Sequence, residues 1–139
     1  MNVIPQQTDI TIELRSPNDA SRLAAREELL SQISSIMNDL NLAFVHEHTY
    51  EQAAVTCSPA LSQALQDSIA ETGIKPKTLF SGAGHDGLAV TDLTDIAMLF
   101  MRCKEGVSHH PDEAIDPQDL EVALQVLANF CRQLAQQNS

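Results

Sequence analysis

Between Asp9 and Arg15 apolar and polar residues alternate without a break. Ile10, Ile12 and Leu14 fall on one side and Asp9, Thr11, Glu13 and Arg15 on the other, the period of a strand with one buried and one wet face. Ser16-Pro17-Asn18-Asp19 then reads as a helix start. Ser16 supplies a hydroxyl cap, Pro17 sits where no amide hydrogen is needed, and Asp19 meets the positive helix end. The spacing of Leu23, Leu30, Ile33, Met37 and Leu40 predicts a helix to about Leu40, with Asn41 turning out of it. Ala43–Tyr50 alternates again and puts Phe44, His46, His48 and Tyr50 on one side. Strand–helix–strand is half of a two-layer α+β unit.

The second half has a different rhythm. Ser58-Pro59 repeats the cap-and-proline signal, and Leu61, Leu65 and Ile69 predict a helix ended by Gly73. Lys77–Phe80 reads as a short strand. Ile96–Met101 is continuously apolar over a strand's length, the mark of a strand buried on both faces. Asp116-Pro117 opens a last helix on which Leu120, Leu124, Leu127, Cys131 and Leu134 form one apolar stripe. The layout is α/β. Two short parallel strands do not make a stable sheet in water, so the apolar run needs cover from another copy, a further chain segment or a rearrangement.

Composition narrows the function classes. The 139 residues suffice for one modest domain, and 8 Lys+Arg against 19 Asp+Glu leave a net charge of −11. Such an acidic chain is expected to bind neither nucleic acid nor an anionic membrane. No apolar run approaches the roughly twenty residues of a membrane span, and Met1–Asp9 shows no secretory signal. Cys57, Cys103 and Cys131 are scattered and odd in number, as in a reduced, cytoplasmic protein.

Two loops carry candidate chemistry. Ser81-Gly82-Ala83-Gly84-His85-Asp86 has small residues that let a ligand approach the backbone, followed by a proton carrier and a carboxylate. A tight turn explains the same residues. Glu105–Glu113 gathers His109, His110, Asp112 and Glu113, donors that suit zinc or manganese, although a solvated loop has the same composition. His46 and His48 share a strand face and could chelate, or simply line it.

Taken in order, Asn2-Val-Ile-Pro5, the alternating strand ending at Arg15, SGAGHD (Ser81–Asp86) and GVSHHPDE (Gly106–Glu113) resemble the carbamoylase branch of the M20 metallohydrolases. That branch holds N-carbamoyl-L-amino-acid hydrolases, allantoate amidohydrolases and β-ureidopropionases. The resemblance implies that residues 1–56 are the second half of a ferredoxin-like lid or dimerisation domain. It makes residues 57–139 the C-terminal part of an α/β catalytic domain. His109 takes the place of the last metal ligand, and Asn2 and Arg15 grip the substrate carboxylate. Gly82, Ala83, Gly84 and His85 line the substrate pocket, while Glu113 supports the loop from behind. His110 stands where family members commonly have Asn, which makes it a bystander or a competing ligand. The family's remaining ligands and its catalytic Glu have no counterpart in these 139 residues, so no catalytic base is expected in this chain.

The function this resemblance implies is that of a C-terminal fragment of a zinc- or manganese-dependent hydrolase of ureido C–N bonds. The fragment is expected to be inactive alone and to hold no metal tightly by itself. Its implied partners are a second copy and the missing N-terminal half. The alternatives are a non-catalytic assembly module and an unrelated acidic α/β binding domain.

Overall fold

A computed structural model describes residues 5–137, so Asn2 lies outside the described residues. Three α-helices carry it: α1 (Asp19–Asp39), α2 (Pro59–Ala70) and α3 (Pro117–Gln137). Short 3-10 turns cover Asp86–Val90 and Lys104–Gly106. The chain divides into two units, Met1–Ala54 and Val55–Ser139.

The expected strand–helix–strand and α/β architecture is overturned, because no β-strand occurs among the described residues. Asp9–Arg15, Ala43–Tyr50, Lys77–Phe80 and Ile96–Met101 run without a ladder of backbone hydrogen bonds. Alternation dictates which face of a segment would be buried; it supplies no neighbour to pair with. Ile10, Ile12 and Leu14 accordingly stand exposed. Ile96–Leu99 are half-buried, and Phe100 and Met101 are exposed, so this run is not covered on both faces.

In the first unit the helix begins two residues later than the proline signal implies. Asn18, not Ser16, is the cap: its Oδ1 accepts the Ser21 N–H at 2.9 Å. Ser16 Oγ instead accepts the Asn18 N–H at 3.1 Å. The other end follows expectation, with Leu40 as the C-cap and Asn41 left-handed at φ 54°. Polar groups tie the following segment to α1. Both Asp19 carboxylate oxygens lie 3.1 Å from the Ala54 N–H. Arg22 donates to Asp19 at 3.1 Å and to Glu51 at 2.9 Å, and Arg26 reaches Glu51 at 3.3 Å. The hydrogen bond from Arg22 holds the Glu51 carboxyl below the usual carboxylate range, and Glu51 in return raises the Arg22 guanidinium.

The second unit is built on α2 against α3. Its buried residues are small: Ala64, Leu65 and Ser68 on α2, Ala123, Val126 and Asn129 on α3. Ser68 is wholly buried and its hydroxyl donates to the Ala64 carbonyl at 2.8 Å. Asn129 is satisfied by Arg132, whose guanidinium donates to its Oδ1 at 2.6 Å. Gln133 donates to Glu71 at 3.0 Å across the same helix pair. Pro59 opens α2 as expected, but Ser58 caps it without a side-chain hydrogen bond; its backbone N–H donates to the Ile96 carbonyl at 2.8 Å.

The apolar stripe of α3 is mostly left outward, with only Leu134 half-buried. Leu120, Leu124, Leu127 and Cys131 are exposed, because the helix is turned to set its Ala–Val–Asn face on α2. Small side chains on both helices permit the close approach that a leucine row would prevent. Cys57 and Cys103 are half-buried, and all three cysteines are free.

Candidate functional site

The second loop closes on itself. Its ends meet where the Lys104 N–H donates to the Ala114 carbonyl at 2.8 Å. The 3-10 turn at Lys104–Gly106 bends the chain through left-handed backbone at Glu105 (φ 56°) and Gly106 (φ 73°). Glycine is suited to the second of these. His109 is also left-handed, at φ 55°. A residue with a Cβ rarely holds that conformation unless its surroundings enforce it. Glu113 does so in this loop: its Oε2 accepts the His109 N–H at 2.7 Å, and its Oε1 lies 3.8 Å from the Cys103 sulfur. The carboxylate spans the loop from one limb to the other.

His110 turns to its own neighbour. Its Nδ1 accepts the Asp112 N–H at 3.2 Å, and Asp112 Oδ2 lies 3.4 Å from the same nitrogen.

The glycine-rich loop leads into the 3-10 turn at Asp86–Val90. Ser81 Oγ donates to the Ala83 carbonyl at 3.2 Å, and His85 caps the turn through its carbonyl, which accepts the Leu88 N–H at 3.0 Å. The imidazole folds over Gly87: a Cβ built there would stand 2.7 Å from both Cε1 and Nδ1 of His85. Gly87 is therefore part of the His85 environment. The sequence motif did not include it, although its place two residues after the histidine was a signal.

His85 and Gly87 border an open cavity of about 440 Å³. Asp95 also lines it, and the rest of the wall is mainly apolar, from Leu61, Leu65, Ile96, Leu127 and Phe130 among others. Gly82, Ala83, Gly84 and His109 are not in that lining. In the first unit, Arg15 makes an ion pair with Glu13 at 2.7 Å. His46 stacks on Phe44 with ring centres 5.7 Å apart, and His48 lies 3.6 Å from Glu51.

A divalent metal would need three or more ligands converging on one point. Among the described residues no group of three or more His, Cys, Asp or Glu is placed to hold one. Glu113, in the same loop as His109, is turned to a backbone amide. These residues do not by themselves fit the metal that the family resemblance implies.

The family model described as "Peptidase family M20/M25/M40" matches residues 5–133. The chain belongs to this family. Among its relatives, allantoate deiminase 2 of Glycine max is 35% identical over 96% of this chain and 29% of its own length. Allantoate deiminase of Arabidopsis thaliana is 35% identical over 93% of this chain and 26% of its own. N-carbamoyl-L-amino acid amidohydrolase of Geobacillus stearothermophilus is 32% identical over 98% of this chain and 33% of its own. The chain thus spans about a third or less of the relatives it matches. No solved structure matches it. No helix among the described residues is long and apolar enough to cross a membrane.

Proposed function

We propose that this chain forms part of a metal-dependent amidohydrolase that cleaves the ureido C–N bond of N-carbamoyl amino acids or allantoate, and that alone it does not turn over. The observation that supports this most is the match to relatives named for those substrates over more than nine-tenths of the chain. In this reading Arg15 and Asn2 hold the substrate carboxylate, the guanidinium offering a planar fork to two oxygens. His85 and the Gly82–Gly84 backbone line the pocket, and His109 gives one ligand to a divalent metal, zinc or manganese. Glu113 holds His109 in its left-handed turn and so sets where the imidazole points. The remaining ligands and the base come from the part of the enzyme outside this chain. The reading also takes the intact enzyme to be a cytoplasmic dimer.

A chimera tests the assignment. This chain replaces the matched stretch of the Geobacillus stearothermophilus amidohydrolase, and ammonia release from an N-carbamoyl amino acid is followed with added Zn²⁺ or Mn²⁺. Activity that falls at least a hundredfold on His109→Ala, and shows a raised KM on Arg15→Ala, supports the roles of both residues. A folded chimera without activity, or one indifferent to His109→Ala, overturns them. The 139-residue chain alone is expected to be silent in the same assay.

A further inference from the structure

We infer that the cavity beside His85 receives the side chain of the substrate, and that the substrate is an N-carbamoyl amino acid with an apolar side chain rather than allantoate. This rests on the hydrolase reading above, which sets His85 at the substrate. Of the residues given to the pocket in that reading, His85 is the one that reaches the cavity wall. Its half-buried imidazole makes no hydrogen bond or ion pair with the described residues, so a ring nitrogen is left for a polar group of a ligand. Beyond it the wall is apolar: Leu65 on α2, Leu127 and Phe130 on α3, and Ala97 in the segment after the 3-10 turn. One polar handle on an apolar wall calls for a ligand divided in the same way. Because the reading needs His85 open to the substrate, the wall that His85 shares must be open too, which a covering stretch of the enzyme would not allow.

The two substrates of that reading differ at this point. Both carry a carboxylate and a ureido group on one carbon. Allantoate adds a second ureido group there, whereas N-carbamoyl-leucine adds an isobutyl chain. A ureido group against Leu65 and Phe130 would lose its hydrogen bonds to water without replacement, and an isobutyl chain would shed apolar surface. The volume of about 440 Å³ suits an aliphatic or aromatic side chain. Asp95, the one acid among the lining residues, repels an acidic side chain.

NMR titration of the full chain tests this without turnover. N-carbamoyl-L-leucine is expected to move the His85 ring resonances with a dissociation constant at least tenfold below those of N-carbamoylglycine, N-carbamoyl-L-aspartate and allantoate. Ala97→Phe fills the cavity and Leu127→Asp charges its wall. Each is expected to weaken N-carbamoyl-L-leucine at least tenfold, with N-carbamoylglycine and the helical circular dichroism unchanged. Allantoate or N-carbamoylglycine binding as tightly as N-carbamoyl-L-leucine overturns the inference. So does the absence of any shift at His85, or leucine binding that both folded variants leave intact. Ammonia release by the chimera is a separate measurement. An active chimera with a failed titration overturns this inference alone, and an inert folded chimera with a selective titration overturns the hydrolase reading while supporting the cavity's ligand class.

Discussion

The carboxylate of Glu113 accepts the backbone N–H of His109 at 2.7 Å, and His109 holds a left-handed backbone at φ 55°. One side chain thus maintains the conformation of the residue proposed as a metal ligand. Glu113→Ala is expected to release it, at a local cost of about 1 kcal/mol. Hydrogen exchange at the His109 amide should then run several-fold faster, with global stability little changed. Unchanged exchange would show that the loop keeps this turn without the carboxylate.

Gly87→Ala is expected to displace the His85 imidazole, since the added Cβ would lie 2.7 Å from two ring atoms. The His85 ring resonances should move while the helical circular dichroism stays constant. The ring can swing away, so the effect belongs to its orientation at the cavity, with a stability change of at most about 1 kcal/mol.

In the first unit the Glu51 carboxyl is held below its ordinary value chiefly by the Arg22 hydrogen bond. A depressed folded pKa stabilises above the unfolded value and loses that contribution as pH falls through the folded one. Arg22 is raised from an already high value and stays charged throughout. The clamp between α1 and the segment around Glu51 should therefore weaken in acid, below the ordinary carboxylate range. Unfolding followed against pH should show this loss, and Glu51→Gln should remove that part of the pH dependence.

Ser68 on α2, the helix that packs against α3, is wholly buried. Ser68→Leu should overpack this contact and cost about 1–3 kcal/mol in urea unfolding. Ser68→Ala should cost less than about 1 kcal/mol, because the Ala64 carbonyl loses only a hydroxyl donor.

How much of the structure is readable from the sequence depends on the range of the interaction. The ends of the helices were legible because caps and turns are local: Asn41 and Gly73 leave α1 and α2 in left-handed backbone. The start of α1 was misplaced by two residues because Ser16 and Asn18 are both good caps, and the choice between them is settled by which one reaches the Ser21 amide. The four segments that alternate or run apolar like strands kept their patterns and found no ladder. In the candidate site, the residues of the two loops could be named from their types. The bond from Glu113 to His109 and the fold of His85 over Gly87 could not, since each depends on backbone turns several residues apart.

By itself the sequence determined the three helices and the family to which the chain belongs, carried by local spacing and by motifs; the strands it also predicted did not form among the described residues. Only the tertiary structure decided which face of α3 is buried. A period of four and three marks a leucine row as apolar without saying what it touches. The small residues opposite, Ala64 and Ser68, favoured Ala123 and Val126 as the closer fit and left the leucines outward.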